Sequence, residues 1–209
     1  MWQFEPSDSV VRALELFKIR NINSILIPGF GYGRNARLFI ENGIKVTGIE
    51  ISASAIAIAR TRGMNCTIHH GSVTTMPFDN KIYDGIFCYA LLHLLNKWER
   101  HKFLTCCYNQ LINNGLMVFV VASTENSLYG RGKYIGKNRY EIAPGLKVYF
   151  YDSASILNEF SDFGIVESSD IDEPVKFMQG EDPVKLKFVI CGKSVIKKSF
   201  IRKTRREIC

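Results

Sequence analysis

The chain has 209 residues, of which 46% are hydrophobic, and a formal net charge of +7. That length suits one large domain with a sizeable core, and ordinary contents of charge, Gly and Pro exclude collagen-like and disordered classes. The longest apolar run, Leu116 to Ala122, is too short to span a bilayer, and Met1 to Pro6 has no basic region followed by an apolar block, so no secretory signal is expected.

Strand and helix patterns alternate from the start, which predicts an α/β domain with a parallel sheet covered on both faces. After Pro6, Ser7 or Asp8 can cap a helix whose apolar face includes Val10, Leu14 and Phe17. Ser24 to Pro28 reads as a short buried strand, followed by a glycine turn and a helix over about 35–42 that stops at Gly43. Lys45 to Glu50 is the second strand, and Ser52 caps an alanine-rich helix that ends at Gly63. A third strand, Thr67 to His70, leads through Pro77 to a fourth, Tyr83 to Tyr89. A helix over about 97–113 presents Leu104, Cys107, Tyr108 and Leu111 on one side, and Asn114-Gly115 turns the chain into a fifth strand, Leu116 to Ala122.

Residues 123–150 are rich in Gly, Tyr and basic residues and show no clear period, which predicts a long functional or mobile loop. Asp152 or Ser153 begins a last helix through Phe160, and strands Ile165 to Ile171 and Lys185 to Cys191 form an antiparallel pair. No linker interrupts residues 1–192, so these form one domain. Residues 193–209 hold seven basic side chains against Glu207 alone and carry six of the seven net positive charges. Only this tail offers an electrostatic footprint for nucleic acid or anionic lipid, and a solvated end is its simplest reading. The six cysteines form no C-x-x-C pair and several lie in apolar patterns, as in a reduced, cytoplasmic protein.

The strongest local signal is the run from Ile25 to Asn35, a strand, a turn with Gly29, Gly31 and Gly33, and a helix start. Glycines at alternate positions remove side chains that would keep a ligand off the backbone, and free N–H groups at the helix start can receive a polar or anionic group. Glu50 follows at the end of the second strand, 19 residues after Gly31, where a carboxylate can accept from both hydroxyls of a ribose. Together these features point to a cofactor that contains a nucleoside. Gly31, Gly33 and Ala36 satisfy a dinucleotide fingerprint, but Gly29 adds a third glycine that suits a ligand without a pyrophosphate.

In order and spacing, five segments resemble the class I S-adenosylmethionine-dependent methyltransferases, in particular the small-molecule group that includes tellurite-resistance and thiopurine methyltransferases. They are Gly29 to Ala36, Val46 to Ser52, Gly71 to Val73 with Met76-Pro77-Phe78, Tyr83 to Phe87, and Leu111 to Leu116. The resemblance covers about residues 22–122 and implies a Rossmann-like, doubly wound, mostly parallel seven-stranded sheet with a C-terminal antiparallel hairpin.

For the site, the resemblance implies that Gly29, Phe30 and Gly31 lie under the methionine part of S-adenosylmethionine, with Gly33 and Asn35 opening the next helix. Glu50 would hold the ribose, Ile51 would pack on the adenine, Ser72 and Val73 would meet its edge, and Tyr89 would stand beside the sulfonium. Pro28 and Ser72 depart from residues common in the family, often acidic at the first position and Asp at the second. The N-terminal aromatics Trp2 and Phe4 could close the site against water. Tyr129, Arg131 and Tyr149 mark the substrate region, whose basic character suits an anionic or polarizable small acceptor. His93 follows the fourth strand and could serve as a general base, against a packing role that its apolar setting favours. His69 and His70 read as structural, with no metal-ligand spacing to other residues.

The function expected is methyl transfer to a small thiol, oxyanion, oxygen or nitrogen nucleophile, in line and without a metal, the product being S-adenosylhomocysteine. A nucleic-acid methyltransferase using the basic tail is the alternative. It lacks support at Cys88-Tyr89-Ala90-Leu91, where base-methylating enzymes carry an Asp/Asn-Pro-Pro-aromatic clamp. A non-enzymatic cofactor-binding protein on the same fold is a further alternative.

Overall fold

The computed structural model describes residues 5–174 and 182–194. Ser7 caps the first helix, α1 (Asp8–Ile19), by accepting from the Val10 N–H at 3.3 Å. Strand β1 (Ser24–Pro28) then enters the sheet, and Asp84 holds its start by accepting from the N–H groups of Asn23 and Ser24. The alternation continues with α2 (Arg34–Glu41), β2 (Lys45–Glu50), α3 (Ala53–Thr61), β3 (Thr67–His70) and β4 (Tyr83–Tyr89). Helix α4 (Lys97–Asn109) begins with a capping box between Asn96 and Glu99, and leads into β5 (Leu111–Ala122).

Seven strands form one sheet in the order β3-β2-β1-β4-β5-β10-β9, where β9 is Ile165–Glu173 and β10 is Val184–Gly192. The first five are parallel; β10 runs antiparallel to both β5 and β9. This is the doubly wound sheet with a closing hairpin expected from the sequence.

Side chains alternate across the central strands because successive residues face opposite sides. Ile25, Ile27, Phe87, Val118 and Val120 join Phe17 of α1 and Phe39 of α2 on one face. Leu26, Ile86, Cys88, Met117, Phe119 and Val121 join Phe103 of α4 and Phe160 of α5 (Ser153–Phe160) on the other. Chain order reverses between β1 and β4, so a crevice opens at their carboxyl ends, the place where open α/β sheets receive ligands.

Two expectations need correction. The helix expected to reach Asn113 ends at Asn109, and the Asn-Asn-Gly stretch lies within β5 as an irregularity. Leu111 pairs with Tyr83, the register then shifts, and Gly85 pairs with Leu116. Asn114 takes a positive φ of 65°, and a Cβ on Gly115 would stand 2.7 Å from the Asp84 carbonyl oxygen. The local polar residues therefore bend a strand where the apolar period suggested a longer helix.

The second correction concerns 123–150, which is not an irregular loop. It folds into a small antiparallel sheet of β6 (Lys133–Gly136), β7 (Arg139–Ala143) and β8 (Leu146–Tyr149). Tyr140, Ile142, Val148 and Phe150 pack with Ala122 on one side of it. The strands are only four or five residues long, too short for a clear alternating signal.

Candidate active site

The β1 turn brings three glycines into left-handed conformations, with φ of 72° at Gly29, 59° at Gly31 and 86° at Gly33. Their surroundings differ. A Cβ on Gly29 would stand 3.1 Å from Leu91 Cδ2, and one on Gly33 would stand 2.8 Å from Met64 Cγ. A Cβ on Gly31 would meet nothing within 4 Å. The sequence reading had all three clearing a path for a ligand. In the folded chain Gly31 alone of the three would carry a Cβ into open space, while Gly29 and Gly33 also admit neighbouring side chains of the protein itself.

Glu50 reaches across from the end of β2. Its Oε2 accepts from the Gly31 N–H at 2.7 Å and its Oε1 from the Ser52 N–H at 2.8 Å. A carboxylate has about four lone-pair positions, so these two bonds orient the group and leave each oxygen one further acceptor position. Next to it, the Gly71 N–H donates to the Glu50 carbonyl at 2.9 Å, which brings the end of β3 against the end of β2. Ser72 follows directly and accepts from the Thr74 N–H at 3.2 Å, capping a single 3-10 turn that contains Val73. Ile51 stands exposed beyond Glu50, 67% accessible, as an apolar platform at the rim.

A cavity of about 200 Å³ lies over the turn, bounded by Gly29, Phe30, Gly31 and Asn35 on one side and by Phe87 and Tyr89 of β4 on the other. Phe30 is nearly buried because it packs against the bare backbone of Gly48, where a Cβ would stand 2.3 Å from the ring. Asn35 Oδ1 accepts from both the N–H and the hydroxyl of Ser7 at 3.2 Å, tying the start of α1 to the start of α2.

Arg34, which the sequence reading missed, also lines this cavity, with its guanidinium carbon 5.7 Å from the Tyr89 ring centroid. The signal was present as a basic residue in the first helical position after the third glycine. Burial pushes the Tyr89 phenol up to about 12, helped by the nearby Glu173 carboxylate and opposed by Arg34. That carboxylate accepts from the Asp8 N–H at 2.6 Å, from the Ser9 N–H at 3.1 Å and from the Ser9 hydroxyl, so it caps α1 from the far strand of the sheet.

His93 is almost wholly buried, and its Nδ1 accepts from the Ala122 N–H at 3.1 Å. Burial lowers its pKa to about 4. In this tautomer the neutral ring has its proton on Nε2 and its lone pair already occupied, which is a packing arrangement rather than that of a free base. His69 hydrogen-bonds Asp79 at 3.1 Å and His70 the Ile51 carbonyl at 3.1 Å.

Tyr129 packs edge-on against Tyr140 and Phe150 in the small sheet, its hydroxyl donating to Asn138 Oδ1 at 3.0 Å. Arg131 is exposed in the turn before β6. Tyr149 lies on the opposite side of the small sheet from that aromatic cluster, against Arg100 of α4. The three substrate candidates therefore do not meet in one place. Trp2, Phe4 and the tail beyond Ser194 lie outside the described residues.

The family model described as a methyltransferase domain matches residues 25–115, the span that holds β1 to β4 and the glycine turn. No curated protein matches the chain in sequence. Among solved structures, the chain is similar to an S-adenosylmethionine-dependent methyltransferase from Methanosarcina mazei, with a TM-score of 0.71 and 17% identity over 86% of this chain and 98% of that one. It is also similar to the 1,6-didemethyltoxoflavin-N1-methyltransferase of Burkholderia thailandensis, with a TM-score of 0.68 and 15% identity over 90% and 79% of the two chains.

Residues 25–115 thus match a methyltransferase domain, an enzyme domain, and the chain has the fold of S-adenosylmethionine-dependent methyltransferases. The fold expected from the sequence is the one observed, and the matched domain supports S-adenosylmethionine as the cofactor. Within the class, TehB of Haemophilus influenzae shares the fold at a TM-score of 0.64 and 16% identity, over 88% of this chain and 61% of that one.

Proposed function

We propose that the protein transfers a methyl group from S-adenosylmethionine to a small-molecule acceptor. The observation that carries the reading is the Glu50 carboxylate, fixed by the Gly31 and Ser52 N–H groups beside the one glycine of the β1 turn that faces open space. In this reading Glu50 accepts from the ribose hydroxyls, Ile51 covers the adenine, and Ser72 and Val73 border it. Gly29, Phe30 and Gly31 form the floor under the methionine part, with Gly33 and Asn35 behind them. Arg34, at the start of α2 and lining the same cavity, is a cationic partner for the methionine carboxylate.

When bound, the cofactor supplies an activated methyl on a sulfonium. The residues of the chain then have to align the acceptor with it and exclude water. Tyr89 does this as a wall: burial and Glu173 keep its phenol protonated, so it positions and shields rather than removing a proton. Nor does His93 take a proton in this reading, because its Nδ1 lone pair is bonded to Ala122 and burial keeps the ring neutral. Acceptors that need no strong base, thiols and oxyanions, fit such a site best. In this reading Tyr129 and Arg131 contribute to acceptor binding, and Trp2 and Phe4, outside the described residues, are the aromatics assigned to closing the site.

Among the described residues no helix is long and apolar enough to cross a membrane, and the buried thiols of Cys88, Cys107 and Cys191 serve as core side chains. Both suit a cytoplasmic enzyme. Incubation with methyl-labelled S-adenosylmethionine and a panel of thiols, oxyanions and amines is expected to release S-adenosylhomocysteine with at least one acceptor. Calorimetry without heat at millimolar S-adenosylhomocysteine would overturn the reading.

A further inference from the structure

The small sheet has two unlike faces, because adjacent residues of a strand point to opposite sides. Tyr140, Val148 and Phe150 turn to the apolar cluster under Ala122. Arg139, Lys147 and Tyr149, the alternate residues, turn the other way into a cavity of about 950 Å³ between this sheet, the start of α4 and helix α5. Arg139 and Tyr149 are direct partners across β7 and β8.

Five lysine or arginine side chains line this cavity against two carboxylates, Glu159 and Asp162. Arg100 of α4 is 4% exposed, donates from Nε to Glu159 at 2.7 Å, and lies 4.1 Å over the Tyr149 ring. Arg100 and Arg139 both donate to the Leu95 carbonyl, at 3.2 and 2.8 Å. Two guanidinium groups are thus held side by side, with Glu159 bonded to Arg100 and the Glu99 carboxylate acting on Arg139, and a further anion would be favoured beside them. The described bonds use one nitrogen of Arg139 and leave the rest of its fork to the cavity. Lys137, from the β6–β7 turn, and Lys147 are exposed and line the same cavity, and Trp98, 69% exposed on α4, adds a flat apolar wall.

We propose that this cavity binds a small ligand that carries an anionic group on an aromatic ring, the anion on Arg139, Lys137 and Lys147 and the ring against Trp98. The site is separate from the glycine turn and does not depend on the methyl-transfer reading. A guanidinium fork and two ammonium groups match phosphate or carboxylate oxygens, and an indole face adds stacking with a planar ring.

Calorimetry on the full chain with phenyl phosphate, with inorganic phosphate as the ringless control, tests this. Phenyl phosphate is expected to bind at least tenfold more tightly than phosphate, and Trp98→Ala to remove most of that difference. The double variant Lys137→Glu with Lys147→Glu alters only exposed side chains. It is expected to weaken phenyl phosphate at least tenfold while leaving the thermal midpoint and S-adenosylhomocysteine binding unchanged. Absence of binding at millimolar phenyl phosphate, equal binding by the charge-reversed variant, or displacement by S-adenosylhomocysteine would each overturn the proposal.

Discussion

Replacing Gly31 by Ala separates a ligand-facing glycine from a merely structural one. Gly31 has a φ of 59°, and a Cβ there meets no protein atom within 4 Å. The folded chain therefore bears only the cost of a left-handed alanine, about 1–2 kcal/mol. For a chain of this size that lowers the thermal midpoint by roughly 2–8 °C. Gly33→Ala meets the same backbone cost and also drives a methyl to 2.8 Å from Met64 Cγ, so it is expected to be the less stable of the two.

The effect on binding runs the other way. A methyl at Gly31 enters the space assigned to the cofactor, and overfilling a packed contact costs about 1–3 kcal/mol, which weakens binding roughly 5- to 150-fold. Thermal unfolding and titration with S-adenosylhomocysteine measure the two quantities on the same samples. A Gly31→Ala protein that is folded and binds S-adenosylhomocysteine as tightly as the parent would refute the placement of the ligand over this turn.

Glu50→Ala removes both proposed ribose bonds. Bonds to a charged group are worth about 1.5–3 kcal/mol each, so S-adenosylhomocysteine affinity is expected to fall roughly 10²- to 10⁴-fold, and unchanged affinity in calorimetry would reject the role. His93 has a folded pKa of about 4, below its ordinary 6.5. The unfolded chain therefore binds more protons between those values, and stability is expected to fall as pH drops from about 6.5 to about 4, by about 3 kcal/mol at most. Urea unfolding across that range should show a shallower acid slope in His93→Gln; identical slopes would contradict this account. Glu159→Ala leaves the Arg100 guanidinium, 5% exposed at its side chain, without its carboxylate. A loss of about 3–5 kcal/mol is expected by chemical denaturation, and a change within experimental error would show that Leu95 and solvent suffice.

How much of the molecule was legible beforehand varies with the range of the interactions involved. The five parallel strands, the glycine turn and the position of Glu50 were all readable, because burial on both faces writes continuous apolar runs and a left-handed turn calls for glycine. The small sheet was hidden: its strands are short, and the packing of Tyr140 and Phe150 under Ala122 joins residues distant in the chain. Arg34 was overlooked because its meaning comes from Tyr89, on a strand that lies beside β1 only after folding.

The amino-acid sequence by itself determined the order of elements in the main sheet and the doubly wound class, since periodicity and turn chemistry act over a few neighbouring residues, and the resemblance of its motifs pointed to the cofactor. Tertiary structure alone decided which of three similar glycines faces open space, that His93 has its lone pair taken by the Ala122 amide, and that cations from α4, β7 and β8 surround one cavity. Each of those depends on what a side chain meets across the fold, and spacing along the chain carries no record of such contacts.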